Sequence, residues 1–204
     1  MVKIKFCGLK RIQDLEKAIS LRVDYVGFVL YPKSPRYVSP EELKALVSLS
    51  NSVKKVAVMV NPDYQDVKKV LDIGVDLIQL HGEESFEFAR KVGFERVIKA
   101  FRVKEKIYIS QEWKQVHAVL LDTYSQHLYG GTGKTFNWSI AEELVKNGFR
   151  IILSGGLTPE NVQMAVRRVN PYGVDVSSGV EVQPGVKDHQ KMEAFVRALR
   201  SSLS

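Results

Sequence analysis

The chain has 204 residues, 30 Lys+Arg against 23 Asp+Glu for a formal charge of +7, and is 45% hydrophobic and 26% charged; such a composition buries a substantial core and excludes disorder, collagen-like structure and coiled coil. Its single cysteine, Cys7, excludes an intramolecular disulfide and, by itself, a cysteine-based zinc site, so a reduced intracellular compartment is expected. No apolar run approaches the ~18 residues of a membrane span, and Lys3 and Lys5 interrupt any signal-peptide core, which leaves a soluble, cytoplasmic protein without membrane contact as the expectation.

From the N-terminus, the β-branched apolar run 2–7 predicts a first strand, and the amphipathic stretch 12–21 predicts a helix behind it. The pattern then repeats. Strand 25–30 precedes helix 40–49, strand 55–60 precedes helix 63–73, and strand 77–81 precedes helix 86–92. Strand 96–101 is followed by a weakly periodic helix within 104–114, and strand 118–122 by a glycine-bearing loop and helix 140–147. Strand 150–154 with helix 159–169 and strand 173–177 with helix 188–199 complete the series. Such alternation marks parallel βαβ units, and the continuous apolar runs fit strands covered on both faces. Ser39-Pro40-Glu41-Glu42 and Thr158-Pro159-Glu160 each combine a hydroxyl N-cap, a first-turn proline and early carboxylates, while Gly74, Gly93 and Gly148 stand where helices should stop. Eight units without a linker or composition shift predict an α/β fold, a single-domain (β/α)8 barrel spanning 1–204, with an open doubly wound sheet as the alternative.

In a barrel, chemistry belongs at the C-terminal ends of the strands. Those positions read Cys7, Asn61, His81, Asp122, Ser154-Gly155-Gly156 and Ser177-Ser178-Gly179. The two glycine turns close neighbouring strands and let backbone N–H groups approach an anion, as a phosphate site requires, although a tight turn alone also uses Gly-Gly. Loop 129–135 is not a P-loop, because Leu128 occupies the place of its first glycine; it reads as a glycine-hinged lid. A lone Cys7 is commonly a buried small hydrophobe and a lone Asp122 a helix cap. Together across one mouth they supply a base and an acid, sufficient for cofactor-free isomerisation of a phosphorylated sugar derivative.

His81 reads as a structural or hydrogen-bonding residue, since no second ligand stands near it at metal spacing, and no metal is expected. Arg36 is either a surface charge or a planar clamp for a substrate carboxylate. The basic residues are dispersed in ones and twos with no basic tail, which fits a field attracting small anions and argues against a nucleic-acid partner.

The chain also carries Lys5-Phe6-Cys7-Gly8, Gly27-Phe28-Val29 followed by Tyr31-Pro32-Lys33-Ser34-Pro35-Arg36-Tyr37, and Gln79-Leu80-His81-Gly82. Further along come Leu121-Asp122-Thr123, Gly130-Gly131-Thr132-Gly133-Lys134-Thr135-Phe136, Leu153-Ser154-Gly155-Gly156-Leu157 and Asp175-Val176-Ser177-Ser178-Gly179-Val180-Glu181. In this order, over essentially the whole length, the strings resemble the phosphoribosylanthranilate isomerase family. The resemblance implies a cofactor-free (β/α)8 enzyme of tryptophan biosynthesis. It would convert N-(5-phosphoribosyl)anthranilate into 1-(2-carboxyphenylamino)-1-deoxyribulose 5-phosphate by an Amadori rearrangement. It further implies Asp122 as general acid on the ring oxygen, Cys7 as general base on the C2′ proton and Arg36 on the anthranilate carboxylate. Backbone groups of Gly155, Gly156, Ser178 and Gly179 would hold phosphate, with His81 and Asp175 as further substrate contacts. One departure is visible: Leu9-Lys10-Arg11 follows Cys7-Gly8 where the family pattern has a hydroxyl residue. Lys10 then either lowers the thiol pKa or points to solvent. The expected partner is a small phosphorylated molecule, and the expected assembly a monomer or homodimer.

Overall fold

Strands that are apolar throughout need cover on both faces, and a closed ring inside a shell of helices provides it. The computed structural model describes residues 1–50, 52–103, 107–123 and 138–200. Its barrel strands are β1 (Lys3–Cys7), β2 (Tyr25–Val29), β3 (Lys54–Met59), β4 (Leu77–Leu80), β5 (Val97–Val103), β6 (Ala118–Thr123), β7 (Ile151–Ser154) and β8 (Gly173–Val176). They pair in parallel in sequence order, and β8 returns to β1 with Ile4 beside Val174 and Lys5 beside Asp175. That return pairing excludes the open sheet.

Outside lie α1 (Ile12–Ser20), α2 (Pro40–Ser48), α3 (Tyr64–Ile73), α4 (Phe86–Val92), α5 (Ser139–Lys146), α6 (Val162–Val169) and α7 (His189–Arg200). Ser39 is the expected N-cap of α2, and Glu42 closes it into a capping box. At α6 the helix starts later than expected: Asn161 is its N-cap, and Asn161 Oδ1 accepts the Thr158 N–H, so Thr158-Pro159-Glu160 is a lead-in turn. The helix expected within 104–114 is also absent among the described residues. Its place behind β5 is taken by a 3₁₀ turn, Gln111–Gln115, whose Trp113 packs edge-on against Phe86 and Phe101 and so supplies apolar cover without a helix. After β8 the chain adds an antiparallel hairpin, β9 (Glu181–Gln183) with β10 (Val186–Lys187). Strands of two and three residues are too short to show a period. No described helix is long and apolar enough to cross a membrane.

Two apolar clusters divide the core. Phe6, Phe28, Leu43, Leu121 and Phe195 fill the space between sheet and helices, while Tyr25, Val56, Leu77, Ile98, Leu120 and Ile152 fill the lower barrel interior; each such side chain contributes about 1.5–3 kcal/mol on burial. Higher in the ring the filling turns polar, with Lys5, Gln79 and Asp175 buried. The first and last helices seal the ring from outside. Buried Asp14 accepts from His189 Nε2 and the Lys187 N–H, and Lys17 pairs with Glu193.

At the N-terminal end of the barrel, Tyr25 Oη meets His117 Nε2 at 3.1 Å and Tyr172 Oη at 2.9 Å. Burial, with the charges of Lys54 and Arg150, pushes the His117 pKa from 6.5 down to about 4. Between these two values the unfolded chain binds a proton that the folded chain does not. Stability is therefore fully present above about pH 6.5 and falls as the pH drops toward 4. His117→Gln keeps a partner for Tyr25 and removes the titration. It is expected to shrink the loss of urea-unfolding free energy between pH 7 and 4.5 by up to about 2 kcal/mol; equal losses in both proteins would contradict the assignment.

Candidate active site

Side chains alternate along a strand, so Phe6 on β1 packs outward against Phe195 while Lys5 and Cys7 share the barrel-facing side. The β1–β2 register puts Gly27 beside Cys7. A Cβ there would stand 3.0 Å from Cys7 Sγ and 3.1 Å from Lys5 Nζ, so glycine leaves the space in which thiol and ammonium converge. Lys5 Nζ donates to Asp175 Oδ1 at 2.8 Å, and Asp175 Oδ2 accepts from Ser154 Oγ at 3.0 Å. Both carboxylate oxygens of Asp175 are thus engaged, although the residue lines the same cavity as Cys7.

Burial pushes the Cys7 thiol up, the charges of Lys5 and Lys187 pull it down and that of Asp175 opposes them, with a net rise. Lys10 has no part in this balance. It reaches the Pro35 carbonyl at 3.4 Å, outside the cavity lining, which settles its orientation away from the thiol.

Across the mouth, the β6 register sets Asp122 beside Arg102 and Ser154. His81, just past the end of β4, places Nε2 3.2 Å from Asp122 Oδ2, and its Nδ1 lies 2.9 Å from Gln79 Nε2. An amide nitrogen only donates, so in this arrangement His81 Nδ1 accepts and Nε2–H donates to the carboxylate. Gln79 is fully buried and its Oε1 has no partner among the described residues. Sequence reasoning passed over it. The available signal was its i, i+2 relation to His81, which puts both on one side of a strand.

Arg36 is no free surface charge. Its Nε and Nη2 donate to Glu181 Oε1 at 2.9 Å and Oε2 at 2.6 Å, a planar two-point pair. Burial alone would raise the Glu181 carboxyl, but the Arg36 hydrogen bonds and the charge of Lys187 hold it below its ordinary value. Lys187 Nζ, fully buried, also donates to the carbonyls of Cys7 and Ser177. The hairpin thereby fixes both the β1 end and the loop after β8.

That loop interlocks with the one after β7. A Cβ on Gly179 would lie 1.9 Å from the Leu157 carbonyl oxygen, an approach only glycine permits. Gly155 and Gly156 take φ of 81° and 67°, and Asn161 Nδ2 pins the Gly156 carbonyl.

A cavity of about 380 Å³ is lined by the nine residues to which the sequence resemblance gives a role: Cys7, Arg36, His81, Asp122, Gly155, Gly156, Asp175, Ser178 and Gly179. Gln79, Arg102 and Ser154 line it as well. Asn61 does not; its Oδ1 accepts the Glu83 N–H and so ties the loop after β3 to the loop after β4. No cluster of His, Cys, Asp and Glu among the described residues is arranged to hold a metal ion. Loop 129–135, read as a lid, lies outside the described residues.

A family model described as N-(5'phosphoribosyl)anthranilate (PRA) isomerase matches residues 4–198. The N-(5'-phosphoribosyl)anthranilate isomerase of Aquifex aeolicus is 52% identical over 205 residues, covering 98% of this chain and 100% of that one. The crystal structure of phosphoribosyl anthranilate isomerase from Thermotoga maritima is similar at TM-score 0.88 and 38% identity, over 98% of this chain and 100% of that one. Another crystal structure, of phosphoribosyl anthranilate isomerase in complex with reduced 1-(o-carboxyphenylamino)-1-deoxyribulose 5-phosphate, is similar at TM-score 0.84 and 36% identity, over 98% and 100% of the two chains. By the near-complete family match and the identity of these relatives, the chain belongs to the N-(5'-phosphoribosyl)anthranilate isomerase family.

Proposed function

We propose that the chain acts as one catalytic domain, 1–204, that isomerises N-(5-phosphoribosyl)anthranilate to 1-(2-carboxyphenylamino)-1-deoxyribulose 5-phosphate in cytoplasmic tryptophan biosynthesis, without a cofactor or nucleic-acid partner and as a monomer or homodimer. The observation that carries the chemistry is the placement of a thiol and a histidine-held carboxyl on one cavity, beside two interlocked glycine loops.

Backbone N–H groups at Gly155, Gly156, Ser178 and Gly179 take the phosphate. The Arg36 guanidinium, gripped by Glu181 at Nε and Nη2, presents its remaining donors to the anthranilate carboxylate. Asp122, as the acid, delivers a proton to the furanose oxygen, and the C1′–O bond breaks to leave an open-chain Schiff base. Cys7, as thiolate, removes the C2′ proton, whose bonding electrons move toward the iminium nitrogen and give an enol amine. Tautomerisation yields the ketone. His81 steadies Asp122 through the Nε2–H contact after the proton has left. Asp175, with both oxygens held by Lys5 and Ser154, serves the site by fixing these neighbours.

Turnover of freshly generated substrate, followed by loss of its anthranilate-type fluorescence, tests this function. Cys7→Ser and Asp122→Asn are each expected to lower kcat by a factor on the order of 10² or more; an inert wild-type protein, or unimpaired variants, would overturn the assignment. Gly179→Ala must spread the two loops because the new methyl meets a backbone oxygen. It is expected to raise KM by about tenfold or more and to weaken competitive inhibition by inorganic phosphate. An unchanged KM would remove the phosphate from this loop.

A further inference from the structure

A buried thiol is a poor base unless its anion is held, and Cys7 is 8% exposed. The charged groups facing it come from four directions: Lys5 on its own strand, Asp175 on β8, Lys187 on the hairpin and Arg36 from the loop after β2. Arg36 and Lys187 share the Glu181 carboxylate, and Lys187 meets Cys7 at its carbonyl oxygen. Lys5 is placed differently. It stands two residues before Cys7 on the same side of β1, 1% exposed, with its ammonium anchored to Asp175. Its Nζ and Cys7 Sγ both approach the vacant Cβ position of Gly27, so the two atoms are no more than about 6 Å apart.

A buried ion pair is weak evidence for stability, because desolvating both charges offsets most of their attraction. The barrel interior just below is filled by apolar Val56, Ile98 and Leu120, which shows that this space admits apolar filling. A lysine here has a use beyond packing.

We propose that Lys5 is the positioning residue that makes Cys7 a base: its ammonium, held by Asp175 and through it by Ser154, lies beneath the cavity floor and stabilises the Cys7 thiolate. The role rests on Cys7 being the base. Lys5 is not among the residues lining the cavity, so it acts through the thiol and not on the substrate. The proton leaving C2′ goes to sulfur, and the ammonium keeps its own protons throughout. Gly27 belongs to the same device, since any side chain there would separate the two groups.

Cys7 is the sole cysteine, so alkylation by iodoacetamide reports on this thiol alone. Lys5→Met is expected to move the pH midpoint of alkylation up by about one unit, which slows the reaction about tenfold at any pH below the midpoint. Lys5→Arg should restore most of the difference, and Lys10→Ala should leave the midpoint where it is. In turnover, kcat of Lys5→Met should fall with little change in KM. Gly27→Ala separates the pair with the charge retained and should shift the midpoint in the same direction; it carries the test if Lys5→Met does not fold. An unchanged midpoint in either folded variant would overturn the proposal. The base assignment fails by a different result, an active Cys7→Ser enzyme, whatever the alkylation midpoints show.

Discussion

The parallel pairing of β1 with β8 is the contact on which the rest of the molecule depends. It joins segments about 170 residues apart, Lys3–Phe6 to Gly173–Val176, and so carries a large loop-closure entropy before it returns any energy. The structure reinforces it from several sides. Asp14 of α1 binds His189 and the Lys187 backbone, and Arg200 of α7 reaches the carbonyls of Leu21 and Arg22. Once the seam is closed, the thiol at the end of β1 and the loop after β8 occupy one rim, and Lys5 stands beside Asp175.

Closure brings charge into the barrel, and the geometry limits its cost. Glu181 serves Arg36 and Lys187 at once, and Lys187 satisfies two backbone carbonyls at strand ends that water cannot fully reach. Each buried charge therefore meets an opposite charge and a hydrogen bond, the condition under which such groups are tolerated. The same bonds transmit position. Arg36, Glu181 and Lys187 link the loop after β2, the hairpin and the end of β1, so the arginine and the thiol are held in one frame.

Legibility in the sequence followed physical scale. The barrel strands were visible because burial on both faces demands continuous apolar runs, and the candidate site was legible because a barrel sends strand ends to one rim. What escaped depended on contacts over long separations. Lys5 was read as a charge that interrupts an apolar segment and as part of the Lys5-Phe6-Cys7-Gly8 string, with no role of its own; its neighbour Asp175 lies 170 positions away. Lys10 drew attention by its nearness in sequence to Cys7, yet the i, i+2 rule of a strand selects Lys5 instead. Glu181 and Lys187 were given no role because a buried polar residue looks, in sequence, like a surface one, and Gln79 was marked only by its i, i+2 relation to His81. The missing helix before β6 reflects tertiary substitution, with Trp113 covering the sheet that a helix would cover.

The proposed acid–base isomerisation requires two groups in opposite protonation states within one small cavity, and the two candidates meet different surroundings. Asp122 is oriented by the His81 ring, whose other nitrogen faces the Gln79 amide. Cys7 instead faces ammonium groups. Ser154 lies between the two halves: its Cα neighbours Asp122 on β6, and its hydroxyl donates to Asp175, the counter-ion of Lys5. A shift of the β7 end would disturb Asp122 by strand register and, through Asp175 and Lys5, the surroundings of Cys7 by hydrogen bonding. In the proposed mechanism, the small residue at that strand end, with the glycines that follow it, therefore bears on both proton-transfer groups as well as on the phosphate.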